Sequence, residues 1–318
     1  MLSGQHILAI TGGVGGAKLA LGLSKLLGPE ELGFVVNTGD DFNHLGFYIS
    51  PDTDTLIYTL SGNCNTETGW GRSDESWQFM DALKDIGGET WFALGDKDLA
   101  MHVRRRQLLS DGLTISEVTA LLAESLGVLH KVIPMSNEPV HTRVLTDSGR
   151  MDFQHYFVRE KCKPAVTGFE FDGAEKARIN PEISKRIFSS NLRGIILCPS
   201  NPYVSVDPIL CVPGMRDQLA DCQVPVIAVS PVVGGAAIKG PTVKMMQELG
   251  IPNTADSVAS HYADFLDGFV LDIQDREMAS VVETYGLATT VTQTVMKTLQ
   301  DRINLGQSCL DFIDQLAG

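Results

Sequence analysis

The chain has 318 residues, 43% of them hydrophobic, and a formal net charge of −14. Its apolar content supplies one large core or two modest ones, and the acidic balance argues against a nucleic-acid-binding protein, whose phosphate contacts need a basic patch. No apolar run approaches the roughly 20 residues that cross a bilayer, the first residues lack the basic segment and cleavage site of a secretion signal, and the six scattered cysteines form no C-x-x-C pair; a cytoplasmic, reducing location without membrane contact is expected.

The first element is an apolar strand, His6–Ile10, which breaks into Thr11-Gly12-Gly13-Val14-Gly15-Gly16-Ala17-Lys18 and continues as an amphipathic helix to Leu27. Strand, glycine-dense turn and helix form a phosphate cradle: glycine lets backbone approach the anion, and the helix N-terminus offers free N–H groups and partial positive charge. The spacing is neither G-x-G-x-x-G nor that of a Walker A loop. A tight turn needing glycine for geometry alone is the competing reading.

A second strand, Gly33–Asn37, runs into Asn37-Thr38-Gly39-Asp40-Asp41, followed by Ser50-Pro51-Asp52-Thr53-Asp54-Thr55. Four carboxylates beyond a strand's carboxyl end suit Mg²⁺ bridging substrate phosphates. Individually, Asp40 and Asp41 also suit a turn, and Asp52 or Asp54 a helix cap. Helical patterns follow at Trp77–Ile86 and, behind the Thr114-Ile115-Ser116-Glu117 capping box, at Ser116–Leu126. Between them, Trp91–Leu94 reads as a strand entering Gly95-Asp96-Lys97-Asp98; Arg104-Arg105-Arg106 then reads as a solvated face or the flank of an anionic ligand. Residues Val140–Thr146 and Met151–Phe157, joined at Asp147-Ser148-Gly149, read as a β-hairpin.

Buried strands return at Gly194–Cys198, Val224–Val229 and Gly268–Leu271, with helical stretches between them. The loop Cys198–Pro208 offers Ser200 and Asn201 as polar contacts, or is a proline-stiffened turn. Ser230–Pro241 is a second glycine turn, with Gly234, Gly235 and Lys239. Two glycine loops each carrying a lysine, Lys18 and Lys239, suit a ligand with more than one phosphate. The histidine spacing argues against zinc, and no nucleophile elbow exists. Positioning and charge neutralisation remain, as in transfer at phosphorus. The expected fold is an α/β Rossmann-like doubly wound, mainly parallel sheet built from residues 1–62 and 190–318, with 63–189 as an inserted mixed α+β region.

With these motifs in this order, including Gly69-Trp70-Gly71, Pro134-Met135-Ser136 and Pro199-Ser200-Asn201-Pro202, the chain resembles the 2-phospho-L-lactate transferase family of coenzyme F420 biosynthesis over nearly its whole length. That resemblance implies a homodimeric, Mg²⁺-dependent enzyme that moves a phosphorylated three-carbon acid from a guanosine-diphosphate-activated donor to the deazaflavin Fo, releasing GMP. It assigns Asp54 to Fo or the metal, Lys97 to Fo, and Asp40 and Asp41 to the acidic turn near the metal. Asp40 and Asp54 become the expected catalytic pair, and Asp40, Asp41 and Asp54 the expected metal ligands. Gly12, Gly13, Gly15, Gly16, Lys18, Ser200, Asn201, Gly234, Gly235 and Lys239 become the expected nucleotide contacts. Lys97 stands where many members have arginine, which keeps the charge and loses the planar fork; Thr53 stands where leucine is common. The rival is a non-enzymatic, nucleotide-sugar-binding protein of the gluconeogenesis-factor type, which lacks the segment seen here at Gly95–Asp98. An NAD(P)-dependent oxidoreductase is disfavoured by the glycine spacing.

Overall fold

The computed structural model describes residues 4–237 and 240–318. Seven parallel strands form the central sheet: β1 (His6–Thr11), β2 (Leu32–Val36), β3 (Lys131–Pro134), β4 (Leu192–Leu197), β5 (Val226–Val229), β6 (Gly268–Asp272) and β7 (Ala288–Thr292). Their spatial order is β7-β6-β5-β4-β1-β2-β3. The chain therefore winds one way from β1 to β3 and the other way from β4 to β7. The direction reverses between β1 and β4, the crevice where open α/β sheets take their ligands.

Side chains alternate across the strands, so Ile7 and Ala9 enter one apolar layer and Leu8 and Ile10 the other. Both faces are buried, as an all-parallel sheet requires. On one face, α1 (Gly13–Ser24) packs against α2 (Pro51–Leu60) and the C-terminal helix Leu299–Ala317. A Cβ on Gly22 would collide with the Arg302 carbonyl, so glycine sets how closely α1 meets that last helix.

The hydrophobic runs located five strands of the sheet. The edge strands β3 and β7 carried a weaker signal, being four residues ending in proline and a half-exposed Ala-Thr-Thr-Val-Thr. Within residues 63–189, β3 pairs with β2, so that segment supplies an edge of the central sheet. It also supplies α3 (Gln78–Asp85), α4 (Asp96–Ser110), α5 (Ile115–Ser125) and a three-stranded antiparallel sheet in the order Gly149–Asp152, His141–Thr146, Val166–Asp172. The Thr114–Glu117 capping box is formed as expected. The expected hairpin is present, but its return strand ends at Asp152, and 155–159 winds into a helical turn. Trp91–Leu94 is not a strand; its apolar character serves an aromatic cluster in which Trp91 and Phe92 meet Phe42 and His44.

Candidate functional site

A cavity of about 630 Å³ opens beyond the carboxyl ends of β1, β2 and β4, within the size range of small-molecule sites. A larger open groove of about 1070 Å³ lies at the strands' other ends, near Gln5, Arg193 and Asp267. It is remote from the glycine loops and from the edge where parallel sheets bind ligands.

The first wall of the cavity is the glycine turn. Gly13 takes a positive φ of 65° and the N-cap of α1 is Gly12, which has no side chain; Gly13, Val14 and Gly15 bring the helix N-terminus to the cavity beside Lys18, with the Asp52 carboxylate against the Gly13 amide. The Gly12 amide donates to Ser200 Oγ at 3.2 Å. A Cβ on Gly15 would strike the Pro199 carbonyl, and one on Gly16 would strike Thr11 and Ser200. Glycine is therefore required partly to press the β1 turn onto the β4 turn. Gly16 serves that packing, outside the cavity lining, whereas Ser200, Asn201 and Ser205 line the cavity directly. Lys18 Nζ lies 3.4 Å from the Met296 carbonyl.

The floor is acidic. Asp40, Asp52, Asp54 and Asp98 line the cavity. Asp52 Oδ2 accepts from Asn37 Nδ2 at 3.0 Å, and a Cβ on Gly12 would stand 3.0 Å from the same oxygen, which places this carboxylate against the glycine turn. Asp40 Oδ1 is buried without a hydrogen-bond partner. Burial, then repulsion by Asp52, pushes the Asp40 carboxyl well above the ordinary carboxylate range. Burial raises Asp52 to about 6, against the hydrogen bond from Asn37.

The other two expected carboxylates are committed elsewhere. Asp41 accepts from Tyr48 Oη at 2.8 Å and Ser50 Oγ at 2.8 Å and does not line the cavity. Asp54 accepts a two-armed pair from the buried Arg105. Among the described residues no three carboxylates, imidazoles or thiols converge as a metal site; of the expected ligands Asp40 and Asp54 line the cavity and Asp41 lies outside it. The donors available to a hard cation are Asp40 and Asp52, with the unpartnered Asp40 Oδ1 already stripped of water. Two carboxylates plus substrate phosphates is an ordinary Mg²⁺ environment.

Several other expected contacts lie outside the cavity. Lys97 is exposed, its ammonium 3.3 Å from the Ser73 carbonyl. The Gly95–Asp98 segment instead clamps the preceding chain: the amides of Lys97 and Asp98 donate to Glu75 at 2.8 and 2.9 Å, while Asp96 accepts from Ser76, Gln78 and Phe79. Only Asp98 of the segment reaches the cavity. The Gly234 amide donates to the Asp275 carboxylate at 3.0 Å, and Asn253 Nδ2 donates to the Gly235 carbonyl at 2.6 Å, so that turn is held internally. Lys239 lies outside the described residues; Gly240, Pro241 and Thr242 beyond it line the cavity.

Sequence patterns alone missed the remaining lining. Trp70, Trp91, Phe92, Phe153 and Phe157 supply aromatic surface, with Phe153 and Phe157 stacked at 5.5 Å. Tyr58, Asp98 and His102 supply polar groups. Their signal was helical spacing: Asp54 and Tyr58 are i, i+4 on α2, and Asp98, His102 and Arg105 are i, i+4, i+7 on α4.

A glycine turn at the reversal point of a parallel sheet, with acidic and aromatic walls, defines an α/β protein with a small-molecule-sized site at the switch point of its sheet. The chain belongs to the 2-phospho-L-lactate transferase CofD family, whose model matches residues 7–302, and is a transferase of that type. It is 35% identical to the phosphoenolpyruvate transferase of Kitasatospora aureofaciens, over 98% of this chain and 99% of that one. It is 34% identical to the 2-phospho-L-lactate transferase of Methanosarcina mazei, over 95% and 98%. It is also 33% identical to the Methanocaldococcus jannaschii protein of that name, over 98% and 99%. A crystal structure of a upf0052-family protein from Bacillus halodurans shares the fold, with a TM-score of 0.61 at 14% identity over 96% of this chain and 99% of that one. Among the described residues no helix is long and apolar enough to cross a membrane.

Proposed function

We propose that this enzyme transfers a phosphorylated three-carbon acid, phospholactyl or phosphoenolpyruvyl, from a guanosine-diphosphate-linked donor to a hydroxyl of the deazaflavin Fo, in coenzyme F420 biosynthesis. The observation that carries this reading is one cavity combining a glycine-rich helix N-terminus for phosphate, a buried acidic floor and an aromatic wall for a planar ring. The names of the relatives supply the two candidate acids.

In this reading the Gly12–Gly15 turn and Lys18 receive the diphosphate, Ser200 and Asn201 lie beside it, and the aromatic wall takes the ring of Fo. Mg²⁺ held by Asp40 and Asp52 would neutralise charge on the phosphates. The ribityl oxygen attacks the phosphorus bearing the acid, the bond to GMP breaks, and the hydroxyl proton passes to a cavity carboxylate. Asp54, which lines the same cavity, orients that hydroxyl. In-line placement and charge neutralisation suffice, without a covalent intermediate. A cytoplasmic homodimer belongs to the same reading.

Incubation with Fo, Mg²⁺ and each guanylylated donor in turn, with products identified by mass, tests it. The expected result is a phosphodiester of Fo plus stoichiometric GMP from one donor. Retained nucleotide binding without Fo binding, followed through deazaflavin fluorescence, would overturn it in favour of a nucleotide-sugar-binding role.

A further inference from the structure

We propose that Arg105 is a positioning residue for this transfer: held by Tyr48 and His102, its buried guanidinium fixes the direction in which the Asp54 carboxylate meets the acceptor hydroxyl. The inference rests on the transfer reaction proposed above and concerns a residue that does not itself line the cavity.

Arg105 sits in a run of three arginines yet is only 1% exposed. Its Nη1 donates to Asp54 Oδ2 at 3.0 Å, to His102 Nδ1 at 2.9 Å and to the Tyr48 carbonyl at 3.3 Å, while Nη2 donates to Asp54 Oδ1. A guanidinium only donates, so His102 Nδ1 is the acceptor and the ring proton sits on Nε2. That nitrogen faces Asp98 Oδ2 at 3.3 Å, outside hydrogen-bond alignment. Tyr58 Oη donates to Asp98 Oδ1 at 2.6 Å. The chain of groups runs from Tyr58 through Asp98, His102 and Arg105 back to Asp54, four residues before Tyr58 on the same helix. A buried ion pair adds little stability over apolar side chains of equal volume. What this one supplies is a cavity-lining carboxylate with both oxygens fixed by Arg105, and a misplacement of about 1 Å costs on the order of a hundredfold in rate.

Arg105→Lys keeps the charge and loses the fork. It is expected to lower kcat about thirtyfold, with KM for the guanylylated donor within about twofold. Asp54→Asn is expected to lower kcat about a hundredfold, and the double variant to be no slower than Asp54→Asn alone, because the arginine acts through that carboxylate. In a crystal structure of Arg105→Lys the Asp54 carboxylate is expected to turn while the α2 backbone stays in place. Should Arg105→Lys not fold, His102→Asn, which keeps an acceptor near Nδ1, is expected to outperform His102→Leu about tenfold in kcat at unchanged donor KM. Wild-type kcat in Arg105→Lys, multiplying losses in the double variant, equal kcat in the two His102 variants, or an unmoved Asp54 carboxylate would each overturn the proposal. If the unmodified enzyme transfers nothing to Fo, the transfer reading fails, and the crystal structure still decides whether Arg105 sets Asp54.

Discussion

Asp40 and Asp52 are both largely buried at the cavity floor, and their repulsion makes a proton or a cation welcome there. In the unfolded chain an aspartate titrates near about 3.9; in the folded protein Asp52 titrates at about 6 and Asp40 well above the ordinary range. The folded state thus binds the proton more tightly. That stability is fully present below the unfolded value and is lost as pH rises through the folded one, on the order of 3 kcal/mol for Asp52. Without divalent metal, the thermal midpoint is expected to fall between pH 5 and pH 7.5. Asp52→Asn is expected to flatten the decline, and a flat profile in the unsubstituted protein would contradict the burial argument. Sequence marked these carboxylates as a group, but not their division of labour. Asp52 and Asp54 are two residues apart on a helix and so cannot face the same way: one meets the glycine turn, the other meets Arg105.

At the scale of elements, Glu75 both caps α4 and ties down the segment before α3. Glu75→Ala removes the acceptor for two amides of the first turn of α4, and a loss of about 1 kcal/mol is expected, as for other N-terminal caps. Hydrogen exchange should quicken across 63–77 and in the first turn of α4, with β1 and β4 unaffected; faster exchange in those central strands would show that the clamp supports more than its own segment. The legibility of the elements followed their burial. β1, β2, β4, β5 and β6 are apolar on both faces and stood out as runs, while β3 and β7 are edges with fewer buried positions. Trp91–Leu94 misled because its apolar side chains pack against aromatic rings rather than a sheet. Arg105 was hidden because its neighbours Arg104 and Arg106 are exposed, and only the spacing from Asp98 and His102 places it inward. The glycine turns looked alike in sequence, yet one opens helix α1 at the cavity and the other is held by Asp275 and Asn253.

For the whole molecule, a net charge of −14 and a cavity lined by four aspartates oppose an anionic donor. Nucleotide binding should therefore depend on a divalent cation. In calorimetric titration with GDP, removal of Mg²⁺ is expected to weaken binding at least about tenfold, the equivalent of one lost charge-assisted contact. Equal affinity in chelator would show that Lys18 and the helix N-terminus suffice. The same architecture has a consequence in time. β1 lies mid-sheet, where Ile7 pairs with Gly194, and the Gly12 amide meets Ser200. During synthesis β1 thus waits for a neighbour made some 190 residues later, roughly ten to forty seconds at ~5–20 residues per second. Until β4 emerges, a nascent chain carries an apolar strand with an unpaired edge, open to the wrong partner. The cavity at the glycine turn, half built from each end of the interval, comes into being only late in synthesis.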